Sequence, residues 1–336
     1  MSETPPTLLL YAEGLNRGLV TVAHRERLAG LCELLEPEPV ANFEDGRAVP
    51  HLDRVEVLIT GWGCPRLDAP ALDRVPKLRA AFHAAGTVKN HVTPACFERG
   101  IRVTSAAHAN AIPVAEFTVA AIVLANKRAF RAQRRYRELK SFRLWSHEFP
   151  GIGNYEKVVG LVGASRIGRM VIERLRGFDL QVLLHDPYVS AEEARTLGVE
   201  ACALDDLLRR ADVVSLHAPS LPETRQLIDR RRLALLRDGA VLVNTARGAL
   251  VDQEALTIEL VSGRIEAVID TTEPEILPTS SPLYHLDNVF LTPHIAGSQG
   301  TETHRMLDLA LDELERFVRG QPLEHEVRRE DWDRIA

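Results

Sequence analysis

The sequence holds 336 residues, 45% hydrophobic and 26% charged, with 41 Lys and Arg against 47 Asp and Glu for a formal charge of -6. Ordinary glycine and proline contents and evenly spread apolar residues exclude a collagen-like, coiled-coil or disordered chain, and the length predicts two domains. The mild acidity argues against a dedicated nucleic-acid binder.

Cys32, Cys64, Cys96 and Cys202 stand apart, with no Cys-x-x-Cys and no metal-ligand spacing. Reduced thiols and no metal site are expected. The amino terminus has no basic region and an apolar run of only Leu8 to Tyr11, and the stretch Val114–Leu124 contains Glu116. That stretch falls short of the ~20 residues of a membrane span, so a cytoplasmic location is expected.

In chain order, short apolar strands are predicted at Thr7–Ala12, Glu56–Thr60, Leu78–His83 and Ile101–Thr104, with a helix at Ala23–Leu35. They describe a small α/β unit. Asn110 to Phe130 reads as one long helix with Pro113 in its first turn, where the missing N–H has no intrahelical partner. Between Lys127 and Arg143 lie eight basic residues and one acid, Glu138. A solvated or subunit-contact face is the expected role in so acidic a chain.

From Lys157 onward six strands are predicted: Val158–Val162, Gln181–His185, Val213–His217, Val241–Thr245, Ala267–Asp270 and Asn288–Leu291. Helices intervene, among them Ile167–Arg176 before Gly177 and Asp252–Val261 before Gly263. Near-continuous Val, Leu and Ile runs predict strands buried on both faces, hence a parallel, doubly wound sheet of the Rossmann type.

The first of these strands runs into Gly163-Ala164-Ser165-Arg166-Ile167-Gly168 and then a helix. Such a turn brings backbone N–H groups and the positive helix end to a pyrophosphate. Ser165 occupies the second glycine position, where a Cβ restricts close approach but a hydroxyl can donate to phosphate. The next strand ends at Asp186, 23 residues after Gly163. An acid there binds the adenosine ribose hydroxyls and repels a 2′-phosphate, which predicts NAD rather than NADP.

Later strands end in polar residues: His217, the run Asn244 to Gly248, Asp270 and His294. In an open α/β sheet these ends converge on the ligand crevice. With GLVGASRIGR, HDPY, DVVSLHAPSLPETR, NTARGALVD, VIDTTEPE and LTPHIAGS in this order, the sequence resembles the D-isomer-specific 2-hydroxyacid dehydrogenases, which include phosphoglycerate dehydrogenases and glyoxylate or hydroxypyruvate reductases.

The resemblance implies an NAD-binding Rossmann domain at 109–298, inserted in a smaller flavodoxin-like substrate domain formed by 1–108 and 299–336. The substrate would lie between them. It implies that Arg247 anchors a carboxylate, that His294 is the acid/base and that Glu275 is its partner. A neighbouring carboxylate favours the imidazolium, which protonates a carbonyl oxygen as hydride arrives. Asp270 would hold the nicotinamide carboxamide, with Thr245, Ala246 and Gly297 lining that end of the cofactor. His217, Ala218, Pro219 and Thr224 would border the cofactor, and Arg166 and Ile167 the pyrophosphate.

Gly86, Thr87 and Val88 match the loop expected to receive the substrate carboxylate. That loop departs from the family's AGVG by reading Ala85-Gly86-Thr87-Val88, followed by Lys89, a candidate for a second anionic group. The implied reaction interconverts a 2-keto acid and a D-2-hydroxy acid. An NAD(H)-sensing corepressor-like protein and a formate- or phosphite-type dehydrogenase are the rival functions; Glu275, where formate dehydrogenases are expected to have Gln, weighs against the latter. The family's habit also implies a homodimer through the nucleotide domain, with Ala129–Tyr155 as an arm and Trp145 near the partner's site. The chain's stop at Ala336 disfavours the long serine-pathway enzymes with an effector domain.

Overall fold

The computed structural model describes residues 4–332. The chain divides into two compact α/β units, Met1–Ala111 with Ser298–Ala336, and Ile112–Gly297. The sequence places these divisions at 108/109 and 298/299.

The first unit carries Pro6–Leu10 (β1), Glu33–Leu34 (β2), Val57–Thr60 (β3), Ala80–His83 (β4) and Arg102–Ser105 (β5). All are parallel, in the order β2-β1-β3-β4-β5, the flavodoxin-like arrangement. Every residue of β3 and β4 is buried, as strands covered by helices on both faces require. The predicted helix Ala23–Leu35 is shorter, Val22–Leu31, because the chain turns extended at Cys32 and pairs as β2. A two-residue edge strand leaves no period to read.

The second unit carries Lys157–Val162 (β6), Leu180–His185 (β7), Glu200–Ala201 (β8), Val213–Leu216 (β9), Val241–Asn244 (β10), Glu266–Ile269 (β11) and Val289–Leu291 (β12). The parallel order is β12-β11-β10-β9-β6-β7-β8, one strand more than predicted; β8 is again a two-residue edge strand. The order reverses at β6, which pairs with both β7 and β9. That is the switch point outside whose carboxyl end ligands bind in such sheets.

The predicted helix Asn110–Phe130 is two helices, Ala107–Asn126 and Ala129–Leu139. The first begins three residues early, so Pro113 lies inside it and removes the N–H that would bond the Ala109 carbonyl. It spans 20 residues, long and apolar enough to cross a membrane, which corrects the shorter stretch read from sequence. Its Ala115, Ala121, Ile122 and Ala125 pack in the core beneath the seven-stranded sheet, as a core helix does. The break falls at Arg128, in the left-handed region with φ 51°, whose guanidinium donates to the Gly239 carbonyl at 2.6 Å.

Part of the basic stretch is paired within this unit. Arg131 pairs with Glu266 at 3.2 Å, Arg134 donates to the Leu286 and Val289 carbonyls, and Arg135 pairs with Glu148 at 2.9 Å.

Candidate active site

The dinucleotide turn is built where β6 meets β9. Gly163 has φ +102°, and a Cβ on it would lie 2.6 Å from the Ala218 nitrogen, so only glycine lets the two strand ends close. A Cβ on Gly168 would fall on the Gly163 carbonyl, which brings the following helix, Arg166–Leu175, tight against the turn. Ser165 is that helix's N-cap: its hydroxyl accepts from the Gly168 N–H at 3.4 Å. The hydroxyl thus has a local task beyond the phosphate contact expected of it. Ile167 packs into the core and Arg166, exposed, pairs with no described carboxylate, leaving a cation at the helix end.

Asp186, after β7, reaches back across the turn. One carboxylate oxygen accepts from the Ala164 N–H at 2.7 Å and the other from Tyr188 N–H at 2.8 Å. Each oxygen retains an acceptor site for a ribose hydroxyl, and no described cation neutralises the group. The residues therefore fit an NAD ribose and oppose a 2′-phosphate.

His217 lies 3% exposed, with Nε2 hydrogen-bonded to the Ser215 hydroxyl at 3.0 Å; burial pushes its pKa down to about 4. Its side chain is turned inward, so only its backbone and that of Ala218 border the turn. The Thr224 hydroxyl donates to the Pro219 carbonyl at 2.6 Å and accepts from Leu221 N–H at 2.8 Å, fastening the 219–224 loop.

The catalytic candidates follow β10, β11 and β12. At the end of β10, Asn244 folds the chain over: its amide oxygen accepts from Ala246 N–H at 3.1 Å and its amide nitrogen donates to the Arg247 carbonyl at 2.9 Å. The Thr245 hydroxyl is taken by Thr118 at 2.7 Å, leaving its backbone and that of Ala246 to line a ligand. The half-buried Arg247 guanidinium donates to the Ala246 carbonyl at 2.7 Å and makes no ion pair with a described residue. Desolvation lowers its pKa from the usual value, partly countered by the field of Glu275, and an arginine stays charged regardless. A desolvated fork without a counterion is a receptor for a carboxylate.

After β11, Asp270 is 2% exposed and accepts three hydrogen bonds from the next segment: Thr292 hydroxyl at 2.6 Å, Ile295 N–H at 2.8 Å and Ala296 N–H at 2.9 Å. His294, at φ +56°, donates its backbone N–H to the Asp270 carbonyl at 2.9 Å. Asp270 thus shapes the loop that carries His294, a role its strand-end position does not announce. The His294 Nδ1 donates to Glu275 Oε1 at 2.5 Å, with the two side chains 47% and 59% exposed. With Nδ1 so occupied, Nε2 is the nitrogen free for proton transfer. Gly297 closes this unit.

In the first unit, the Ser105 hydroxyl donates to the Gly86 carbonyl and the Thr87 hydroxyl accepts from Lys89 N–H at 3.3 Å. Val88 is 1% exposed, which leaves it to the substrate only through its backbone. Lys89 is half-buried and pairs with no described carboxylate. Among the described residues no group of three or more His, Cys, Asp or Glu side chains gathers as for a metal, and the four cysteines are free.

A parallel sheet with its switch point at a glycine turn, an acid beside that turn, and an Arg, Glu and His at neighbouring strand ends define a nicotinamide-nucleotide-binding α/β protein with an acid–base pair. Residues 119–296 match the family described as D-isomer specific 2-hydroxyacid dehydrogenase, NAD binding domain. The chain is 36% identical over 275 residues to D-3-phosphoglycerate dehydrogenase of Mycobacterium tuberculosis, covering 79% of this chain and 50% of that one. It is 35% identical over 258 residues to glyoxylate reductase of Korarchaeum cryptofilum, covering 76% and 77%. A crystal structure of a Thermus thermophilus protein superposes with a TM-score of 0.74 at 31% identity, covering 96% of this chain and 100% of that one.

The chain belongs to the D-isomer-specific 2-hydroxyacid dehydrogenase family, and its cofactor is NAD. It spans about half the length of the first curated relatives it matches.

Proposed function

We propose that this protein interconverts a 2-keto acid and a D-2-hydroxy acid with NAD(H). The observation that carries the reading is the 2.5 Å contact between His294 Nδ1 and Glu275 Oε1 in the same unit as an Arg247 guanidinium without a counterion. When bound, NAD(H) would supply the hydride chemistry at its nicotinamide. Arg247 binds the substrate carboxylate and, through the fork, orients the adjacent keto oxygen. His294 delivers a proton from Nε2 to that oxygen during reduction and removes it from the hydroxyl during oxidation. Glu275 holds the ring by Nδ1 and stabilises it when both nitrogens carry protons. Asp186 holds the ribose, Arg166 and the helix end after Gly163 receive the pyrophosphate, and Asp270 and Gly297 border the nicotinamide end.

The same reading places the protein in the cytoplasm as a homodimer through the nucleotide-binding unit. Exposed Phe142, Leu144 and Tyr155, and a mainly apolar hollow of about 510 Å³ lined by Val119, Ala120, Val123, Leu124 and Phe178 with Glu116 and Arg174, support that assembly. A monomeric mass at micromolar concentration would count against it.

The test is NADH oxidation at 340 nm with glyoxylate, hydroxypyruvate, pyruvate, phenylpyruvate, 2-oxoglutarate and phosphonopyruvate. Turnover that disappears in His294→Ala is expected. Tight NADH binding with no reduction of any acid would overturn the reading in favour of a sensor, and selective oxidation of formate or phosphite would replace it with that chemistry.

A further inference from the structure

We infer that Thr272 is a positioning residue for the acid–base pair, its hydroxyl fastening the turn that presents Glu275 to His294; the catalytic consequence rests on the reaction proposed above. Glu275 needs such a support. Its side chain is 59% exposed and makes a single hydrogen bond, to an imidazole that is itself 47% exposed. A glutamate so placed keeps most of its rotamer freedom unless its backbone is held.

Thr272 supplies the hold. It is 8% exposed, and its Oγ1 lies 2.8 Å from the Pro274 carbonyl oxygen and 2.9 Å from that of Glu275. One hydroxyl proton is shared between two acceptors, which closes the 272–275 turn on itself. The other tie in the turn, Arg225 to Glu273 at 2.9 Å, joins exposed side chains and contributes little.

The turn is also seated against the anchor arginine. A Cβ on Gly248, the residue after Arg247, would overlap the backbone of Thr272 and Glu273, so the two chain segments touch with no side chain between them. Thr272 therefore stands where the turn bearing Glu275 meets the turn bearing Arg247. Thr271, beside it, is 2% exposed and its hydroxyl has no partner, so the two adjacent threonines are not equivalent.

The variants Thr272→Val, isosteric without the hydroxyl, and Thr272→Ser, which restores it, separate positioning from packing. Long-range ¹H–¹⁵N spectra read the His294 tautomer with no substrate or turnover. In wild type and Thr272→Ser, neutral His294 should carry its proton on Nδ1; in Thr272→Val the two nitrogens should approach the averaged pattern of Glu275→Gln. In the same samples, kcat for the best keto acid should fall about tenfold to a hundredfold in Thr272→Val, with KM within about threefold and recovery in Thr272→Ser. A wild-type tautomer and kcat in Thr272→Val, or a loss that Thr272→Ser shares, would overturn the inference. If the tautomer shifts but the wild type reduces no keto acid, positioning stands and the proposed reaction falls.

Discussion

At the end of the five-stranded sheet, Thr60 and His83 hydrogen-bond at 2.8 Å with each side chain at most 2% exposed, and the ring of His91 lies 4.1 Å from that of His83. At the end of the seven-stranded sheet, His294 is half exposed and bound to a carboxylate. His83 ends β4, His91 lies in the loop after it and His294 follows β12, all in all-parallel sheets. Burial pushes the His83 pKa well below its usual value, helped by His91, and takes that of His91 down to about 4. Their surroundings keep them neutral and closed off, whereas His294 has a partner on one nitrogen and an open second nitrogen. A strand end provides a location; burial and partner decide whether a histidine there can do chemistry. His217, in the same unit as His294 yet buried and neutral, makes the same point within one sheet.

The comparison breaks most sharply at His294. His294→Ala should lower kcat by about 10³-fold while leaving NADH affinity and thermal stability near wild type. A comparable loss of stability would put His294 among the structural histidines.

Stability against pH tests the opposite group. His91 and His217 take up protons near pH 6.5 when unfolded but only near pH 4 when folded, so the unfolded chain binds more protons between these values. Their contribution is complete above about pH 6.5 and is lost as pH falls through about 4, and about 2 kcal/mol of it is already gone for each at pH 5. Urea unfolding at pH 7.5 and pH 5 should show this, with a shallower slope in His217→Asn; equal slopes would sink the assignment.

Smaller effects sharpen the cofactor turn. Asp186→Ala should raise the NADH Kd about tenfold, roughly 1.4 kcal/mol, and weaken NADPH binding less, read by fluorescence titration. Ser165→Gly should change NADH affinity least, because glycine replaces a serine N-cap at a loss of only a few tenths of a kcal/mol. Loss of NADH binding there would mean that the hydroxyl serves the phosphate more than the helix.

Much of the seven-stranded unit is legible in the sequence because its signals are local. Buried strands alternate with helices, Gly163 and Gly168 bracket a turn, and Arg247, Glu275 and His294 sit beside strand ends. Other features are less legible because their partners are remote in sequence or their elements are short. β2 and β8 have two residues each, and the break at Arg128 depends on Gly239 and Glu266. Within the basic stretch, read as a solvated or subunit-contact face, the pairing of Arg131 and Arg134 with Glu266, Leu286 and Val289 is not visible in the sequence. Thr272 carries no motif at all, and its meaning lies in two carbonyls and the neighbouring Gly248.

The α/β class and the glycine turn with its distant acid are legible because spacing along strands and turns encodes them, while the acid–base pair and anchor are assigned through the motifs shared with the 2-hydroxyacid dehydrogenases. Which polar groups are buried, which are already hydrogen-bonded and which remain open follows from packing between segments. Asp270 as the support of the His294 loop depends on N–H groups 25 and 26 residues further along the chain, while the burial of His217 beside Ser215 and the lack of an ion pair at Arg247 depend on what packs around them and what stays away.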